Sequence, residues 1–246
     1  MREGKKLFDK LIKYSCVMPI HQYIEYTDMA INSVMTAIGK RTDVEFIILD
    51  DSSKNMVFTD DRIKHIKLPK IDLVNKLIMG TQLAKGQYYC NSDYDDLAHP
   101  KKFELFDKLL KYNDMAGANN CVFFDTKTKK TYKLKDRLCA KKHTYNARII
   151  EFPWLQHSNS AIPLKWLRQV GYGCDKKIQM SHIDGHIMTD TPIWARASMD
   201  GLKVGFIEDW KQCWQIVHGG NVNVYTEERW KSGFDEIEIE IPKELR

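Results

Sequence analysis

Short apolar runs and helical stripes alternate through the first two thirds of the chain. Ser15–Ile20 (SCVMPI) is a continuous apolar run of the kind that forms a buried strand. From Thr27 to Ile38, residues Ala30, Ile31, Val34 and Ile38 share one helical face, and Gly39 offers a C-terminal stop. Val44–Leu49 (VEFIIL) predicts the next strand, and Arg62–Leu68 (RIKHIKL) alternates like a strand near a sheet edge. Leu73, Leu77, Gly80 and Ala84 return to helical spacing before Lys85-Gly86, and Gln87–Asn91 (QYYCN) predicts another strand. His99-Pro100 then opens a helix that turns Phe103, Phe106, Leu109 and Leu110 inward, with Pro in the first turn.

Strands alternating with helices of 10 to 15 residues imply βαβ units, hence an α/β fold with a mainly parallel sheet flanked by helices. The last third is less regular. Cys121–Asp125 and Thr131–Leu134 predict a hairpin closed by Thr126–Lys130. Helices are expected over Pro163–Val170 and from Thr191-Pro192, with Thr191 as N-cap and Gly201 as terminator. Leu202–Ile207 predicts a strand, and Asp235–Ile241 (DEIEIEI) a C-terminal edge strand with its acidic side in water.

The 246 residues suffice for one large domain or two small ones, and 43% hydrophobic with 29% charged residues excludes disordered and fibrous classes. No apolar run reaches the 18 or so residues of a membrane span, and the first residues lack the apolar stretch of a signal peptide. Six cysteines (Cys16, Cys90, Cys121, Cys139, Cys174, Cys213) are scattered without metal-ligand spacing, so reduced thiols and a cytoplasmic location are expected. Charge is uneven. Between Asp125 and Arg148 nine Lys or Arg oppose two Asp, a block of +7 in a chain whose total is +5. Such a block is either a solvated hairpin or a footprint for an anionic partner.

In open α/β sheets ligands bind beyond the carboxyl ends of the strands. Both acidic clusters, Asp50-Asp51 and Asp93-Tyr94-Asp95-Asp96, fall at such ends. Carboxylates one residue apart at a strand-to-loop turn suit a hard divalent ion, Mn²⁺ or Mg²⁺, shared with ligand phosphates. No Gly-x-x-x-x-Gly-Lys and no Gly-x-Gly-x-x-Gly occurs, so a bound diphosphate would need the metal for neutralisation. Ser181–His186 (SHIDGH) reads as a loop lining an acceptor cleft, with a second metal site as the alternative. Most of the six tryptophans are expected in the core.

Several motifs come in series. They are Val17-Met18-Pro19-Ile20, Ser33-Val34, Leu49-Asp50-Asp51-Ser52-Ser53, Ala84-Lys85-Gly86-Gln87-Tyr88, Asp93-Tyr94-Asp95-Asp96 and His99-Pro100-Lys101-Lys102. In this order and spacing the chain resembles glycosyltransferase family 2, with the GT-A fold. Later, Asp190, Trp194 and Arg196 match a Glu-Asp-x-x-Leu-Trp-x-Arg pattern in which Thr189 replaces Glu, and Trp214–Asn221 resembles a late His-containing segment.

The resemblance implies a single GT-A domain over 1–246, with a nucleotide-sugar half (14–112) and an acceptor half (113–246). It implies a metal-dependent inverting glycosyltransferase using a UDP-sugar. Pro19, His21, Asp50, Asp51, Ser52, Asp93 and Asp95 would bind the nucleotide-sugar, and His21 and Tyr23 would follow the first strand there. Asp93, Asp95 and His218 would hold the metal. Whether Asp50 or Asp51 faces the base stays open at this point. Asp190, just before a helix N-terminus whose dipole keeps it ionised, would be the general base, with helix capping as its plain alternative. The acceptor is a surface saccharide or lipid-linked glycan, with a hydroxylated base in viral DNA, held by the 125–148 block, as the second choice. A nucleotidyltransferase and a non-catalytic nucleotide-sugar-binding module are the alternatives. The former would bring a Gly- and Arg/Lys-rich loop after the first strand, which His21–Thr27 lacks.

Overall fold

The computed structural model describes residues 11–135, 140–145, 148–153, 155–170, 182–183, 186–187, 191–219 and 227–245. The chain begins with β1 (Tyr14–Ile20), α1 (Thr27–Ile38), β2 (Val44–Asp50), β3 (Ile63–Lys67), α2 (Leu73–Leu83) and β4 (Tyr88–Asn91). There follow β5 (Asp96–Leu97), α3 (Lys102–Leu109), β6 (Met115–Gly117), β7 (Val122–Asp125), β8 (Lys130–Leu134), β9 (Ala140–Tyr145) and β10 (Arg148–Pro153). The remainder comprises β11 (Ser160–Pro163), α4 (Leu164–Val170), β12 (His182–Ile183), β13 (His186–Ile187), α5 (Thr191–Met199), β14 (Val204–Phe206), β15 (Trp214–Val217), α6 (Glu227–Gly233) and β16 (Phe234–Ile237).

A seven-stranded sheet carries the fold, in the order β14-β6-β11-β4-β1-β2-β3. Its strands are parallel except β11, which runs antiparallel to both β4 and β6. The period of two along each strand sorts side chains between its faces. Cys16, Met18, Ile20, Phe46 and Ile48 pack with Ala30, Ile31, Val34 and Ile38 of α1 and Phe103 and Phe106 of α3. Val17, Ile47 and Leu49 pack on the other face with Leu77 of α2, Leu164 and Leu167 of α4, and Ile193 and Trp194 of α5.

A second sheet, in the order β16-β8-β7-β15-β5, buries Leu97, Val122, Phe124, Trp214 and Ile216. The expected hairpin is its β7–β8 pair, with Phe123 opposite Tyr132. The expected C-terminal strand is an edge strand but stops at Ile237; Ile239 and Ile241, beyond the strand, pack against the second core. Pro163 ends β11 and the helix begins at Leu164. Cys16, Cys90, Cys121 and Cys213 are buried free thiols, and Cys139 and Cys174 lie outside the described residues. Trp194, Trp214 and Trp230 are buried in the cores. No helix among the described residues is long and apolar enough to cross a membrane.

The Ala84-x-Gly86-x-Tyr88 motif has a packing cause. The turn into β4 passes against the start of β1, and Gly86 N–H donates to Ser15 Oγ at 2.8 Å. A Cβ at Gly86 would sit 2.7 Å from the Ser15 backbone nitrogen and 2.8 Å from the Tyr14 carbonyl carbon. Backbone cannot yield there as a side chain can. Gly86→Ala should therefore cost about 1–3 kcal/mol in a denaturant titration. Gly219→Ala, where an added Cβ meets nothing within 4 Å, should change stability by no more than about 0.5 kcal/mol.

Candidate functional site

The chain runs from β1 outward to β2 and β3, then crosses back to lay β4 on the other side of β1. The order reverses between β1 and β4, and open α/β sheets bind ligands at such a point, beyond the carboxyl ends of the strands. The β1–β4 ladder ends at Val17 opposite Asn91, and Ser92 N–H still donates to the Val17 carbonyl at 2.9 Å. Pro19 lies past that last pair, so its missing N–H removes nothing from this ladder. Asp50 ends β2 and Asn91 ends β4, on either side of β1. Across the sheet two strand spacings, about 10 Å, separate them, and along β1 they are offset by three residues, Asp50 facing Ile20 and Asn91 facing Val17.

On the β2 side, Asp50 is fully buried and saturated by its own chain. Its Oδ1 accepts from Ser52 N–H at 2.7 Å, while Lys67 Nζ (2.8 Å) and His65 Nε2 (3.0 Å) reach Oδ2. Burial works to raise this carboxyl, but Lys67, Ser52 and His65 outweigh it and hold it below the ordinary value. Asp51 is held differently. Its Oδ2 accepts from Ile71 N–H at 3.1 Å, and its Oδ1 is 2.7 Å from Lys76 Nζ and 3.5 Å from His21 Nδ1. The Lys76 contact is a buried ion pair, and a carboxylate oxygen so paired still has a second lone pair to offer. Burial raises Asp51 as well, yet Lys76 and the Ile71 N–H bring it below the ordinary range. Lys76, itself buried, donates to the Ile20 carbonyl at 2.9 Å. Ser52 is buried and its Oγ accepts from Lys54 N–H at 3.3 Å. Tyr23 turns away to donate to Asp28.

On the β4 side, three carboxylates crowd one turn. Asp93 Oδ1 accepts from Asn91 Nδ2 at 2.9 Å, and that amide is also 2.9 Å from His157 Nδ1. Ser158 Oγ lies 2.6 Å from both Asp93 Oδ2 and Asp96 Oδ2. A hydroxyl has one proton and donates to one of them; the other short contact calls for a proton on a carboxyl. Burial, then the charges of Asp95 and Asp93, push Asp96 well above the usual carboxylate range, while Ser158 and the Ile216 N–H oppose. Burial raises Asp95 too, and Asp93 adds to it while His218 opposes.

His218 reaches this turn through the second sheet. β5 begins at Asp96 and pairs antiparallel with β15, Asp96 facing Gln215. The residue after β15 is His218, whose Nε2 lies 3.1 Å from Asp95 Oδ2. Tyr26 backs the imidazole with ring centroids 5.8 Å apart.

These donors fit a small divalent ion. Two ligand atoms about 2.1 Å from one ion and at right angles stand about 3.0 Å apart, close to the Asp95–His218 separation. Among the described residues no three His, Cys, Asp or Glu side chains form a ready-made cage.

Asp190 lies outside the described residues, as do Ser181 and Asp184; α5 begins at the next residue, Thr191. His182 and His186 fall on the short β12–β13 pair. The basic block spans the β7–β8 turn and the β9–β10 hairpin, and Lys130 spends its charge on Glu236 of β16 at 2.8 Å. Sequence reasoning did not find Asn91, His157, Ser158 or Lys76. The first two are single polar residues without spacing to mark them, and Ser158 arrives only because β11 runs antiparallel to β4.

The family model for "Glycosyl transferase family 2" matches residues 15–171. No curated protein sequence matches the chain. Among solved structures, S. aureus TarS 1-349 is similar with a TM-score of 0.54 at 12% identity, covering 83% of this chain and 60% of that one. Its complex with UDP-GlcNAc gives 0.55 at 9% identity, covering 89% and 64%, and its complex with UDP gives 0.54 at 12%, covering 83% and 60%. The chain thus spans less than two thirds of the TarS fragment, and at these identities the likeness concerns the fold, which is the GT-A fold. The sequence match covers more than half of the chain, from β1 past α4, and so includes both acidic turns: the chain belongs to glycosyl transferase family 2.

Proposed function

We propose that this protein is a divalent-cation-dependent, inverting glycosyltransferase that moves a sugar from a UDP-sugar to an acceptor hydroxyl. The observation that carries this reading is the Asp95–His218 pair beside Asp93, at the carboxyl end of β4 and two strands from the Asp50-Asp51-Ser52 turn. That separation suits a nucleoside diphosphate lying across the end of β1, its base at β2 and its phosphates at β4. The family match supports transfer of a sugar over transfer of a nucleotide. The TarS structures solved with UDP and UDP-GlcNAc support a uridine donor.

Within this reading Asp51 is the residue for the base. Its buried Oδ1, paired with Lys76 and bordered by His21, has a second lone pair that a nucleobase N–H can use. Asp50, saturated by Lys67, His65 and Ser52, shapes the turn, and His21 borders Asp51 at the mouth. Mn²⁺ or Mg²⁺, held by Asp95 and His218 with Asp93 beside them, supplies neutralisation of the charge that grows on the departing diphosphate. Asp190, immediately before α5, takes the proton from the acceptor hydroxyl, which is a poor nucleophile without a base in reach. A surface saccharide or lipid-linked glycan is the proposed acceptor. Hydroxylated DNA comes second, because Lys130 already pairs with Glu236 and the block offers phosphates less charge than its sequence suggests.

Two measurements test the reading. In a panel of UDP-sugars with Mn²⁺, one should be hydrolysed slowly without acceptor. A chelator should abolish that turnover and added Mn²⁺ or Mg²⁺ should restore it; full turnover in chelator contradicts metal dependence. Asp190→Asn should leave UDP affinity within about twofold of wild type and lower transfer by about 10²-fold or more, the scale of a lost general base. Normal transfer by that variant would reduce Asp190 to a helix cap.

A further inference from the structure

Lys102 is fully buried, and no carboxylate lies within ion-pair distance of it among the described residues. Its ammonium donates to the Ser158 carbonyl at 2.7 Å, the Asn91 carbonyl at 3.1 Å and Ser92 Oγ at 3.2 Å. An ammonium has three protons, so every one has an acceptor. Burying it is still costly, several kcal/mol before compensation. An apolar side chain of similar length would fill the same space between α3 and the sheet without that cost. What the ammonium adds is a junction of three oxygens from two segments.

Those segments carry the acidic turn. Asn91 and Ser92 lead out of β4 into Asp93, and the Asn91 side chain orients Asp93 Oδ1. Ser158 lies in the single turn of 3-10 helix His157–Asn159, and its hydroxyl bridges Asp93 and Asp96. The start of α3 docks on that turn twice, through Lys102 and through His99 N–H, which donates to Asn159 Oδ1 at 3.0 Å. The spacing of the His99-Pro100-Lys101-Lys102 motif places both contacts on one helical start.

We infer that Lys102 is a positioning residue for the donor site: it clamps the exit of β4 to the 157–159 turn and so sets the distance over which Ser158 holds Asp93 and Asp96. This rests on the donor-site reading above. Lys102 touches no substrate; it acts through Ser158 and Asn91.

The test compares wild type, Lys102→Met, Ser158→Ala and the double variant. Folding is checked by circular dichroism and thermal melting, and affinity for UDP in the presence of Mn²⁺ by calorimetry. Each single change should weaken Mn²⁺–UDP binding about tenfold or more, the usual effect of losing a group that orients a metal ligand. Because the two act on one link, the double variant should be within about threefold of the weaker single variant. A Lys102→Met protein that melts lower yet binds as wild type does, or losses that multiply in the double variant, would overturn the inference and leave Lys102 a purely structural residue. If Lys102→Met does not fold, Ser158→Ala decides: a tenfold loss supports the clamp, and wild-type affinity overturns it. Wild-type protein that binds no UDP with Mn²⁺ removes the donor-site reading and the clamp with it. Wild-type binding with unaffected variants removes the clamp alone.

Discussion

Asp93, Asp95 and Asp96 share one turn at the end of β4, with Asp96 buried and Asp93 and Asp95 partly so, and much of the surrounding structure serves to hold their charges together. Like charges at hydrogen-bond range cannot all stay ionised without compensation, and burial disfavours the charged form further. The chain meets this with one hydroxyl from Ser158, one amide from Asn91, one backbone N–H from Ile216 and one imidazole from His218. None of these is a close cation from Lys or Arg. In the proposed function a divalent ion would add positive charge at this turn.

Holding that turn explains why two sheets are needed. The seven-stranded sheet presents β4 beside β1 and β2. The second sheet exists beside it to return His218, since β5 grows directly out of the acidic turn and pairs with β15. Ser158 comes from a third direction, through the antiparallel strand β11. Asp51 and Asp95 thus follow two strands of one sheet, β2 and β4, with β1 between them, while the residues from Thr191 onward contribute α5 to one face of that sheet.

The donor half was legible because its signals are local. The stripe of Ala30, Ile31, Val34 and Ile38 gave α1 its observed limits, Thr27–Ile38, and the apolar runs gave β1, β2 and β4 within a residue or so. The second sheet was legible only in the β7–β8 hairpin and the C-terminal edge strand. β5 has two residues, too short for any period to show, and β15 (WQIV) looks the same as a buried helical segment. Asp235–Ile241 alternates strictly, yet the strand that pairs with β8 ends at Ile237. The split between Asp50 and Asp51 was equally unreadable, because it depends on Lys67 and His65 arriving from β3 and Lys76 from α2. His218 was named by resemblance to a family segment. Its approach to Asp95 across 123 residues of chain is a product of the β5–β15 pairing.

The most direct measurement of the central claim is anomalous diffraction from crystals soaked in Mn²⁺ and UDP. The account predicts an anomalous peak within about 2.3 Å of both Asp95 Oδ2 and His218 Nε2, with the diphosphate on its open side and the uracil at Asp51. UDP bound across the end of β1 with no peak at the Asp95–His218 pair would contradict it.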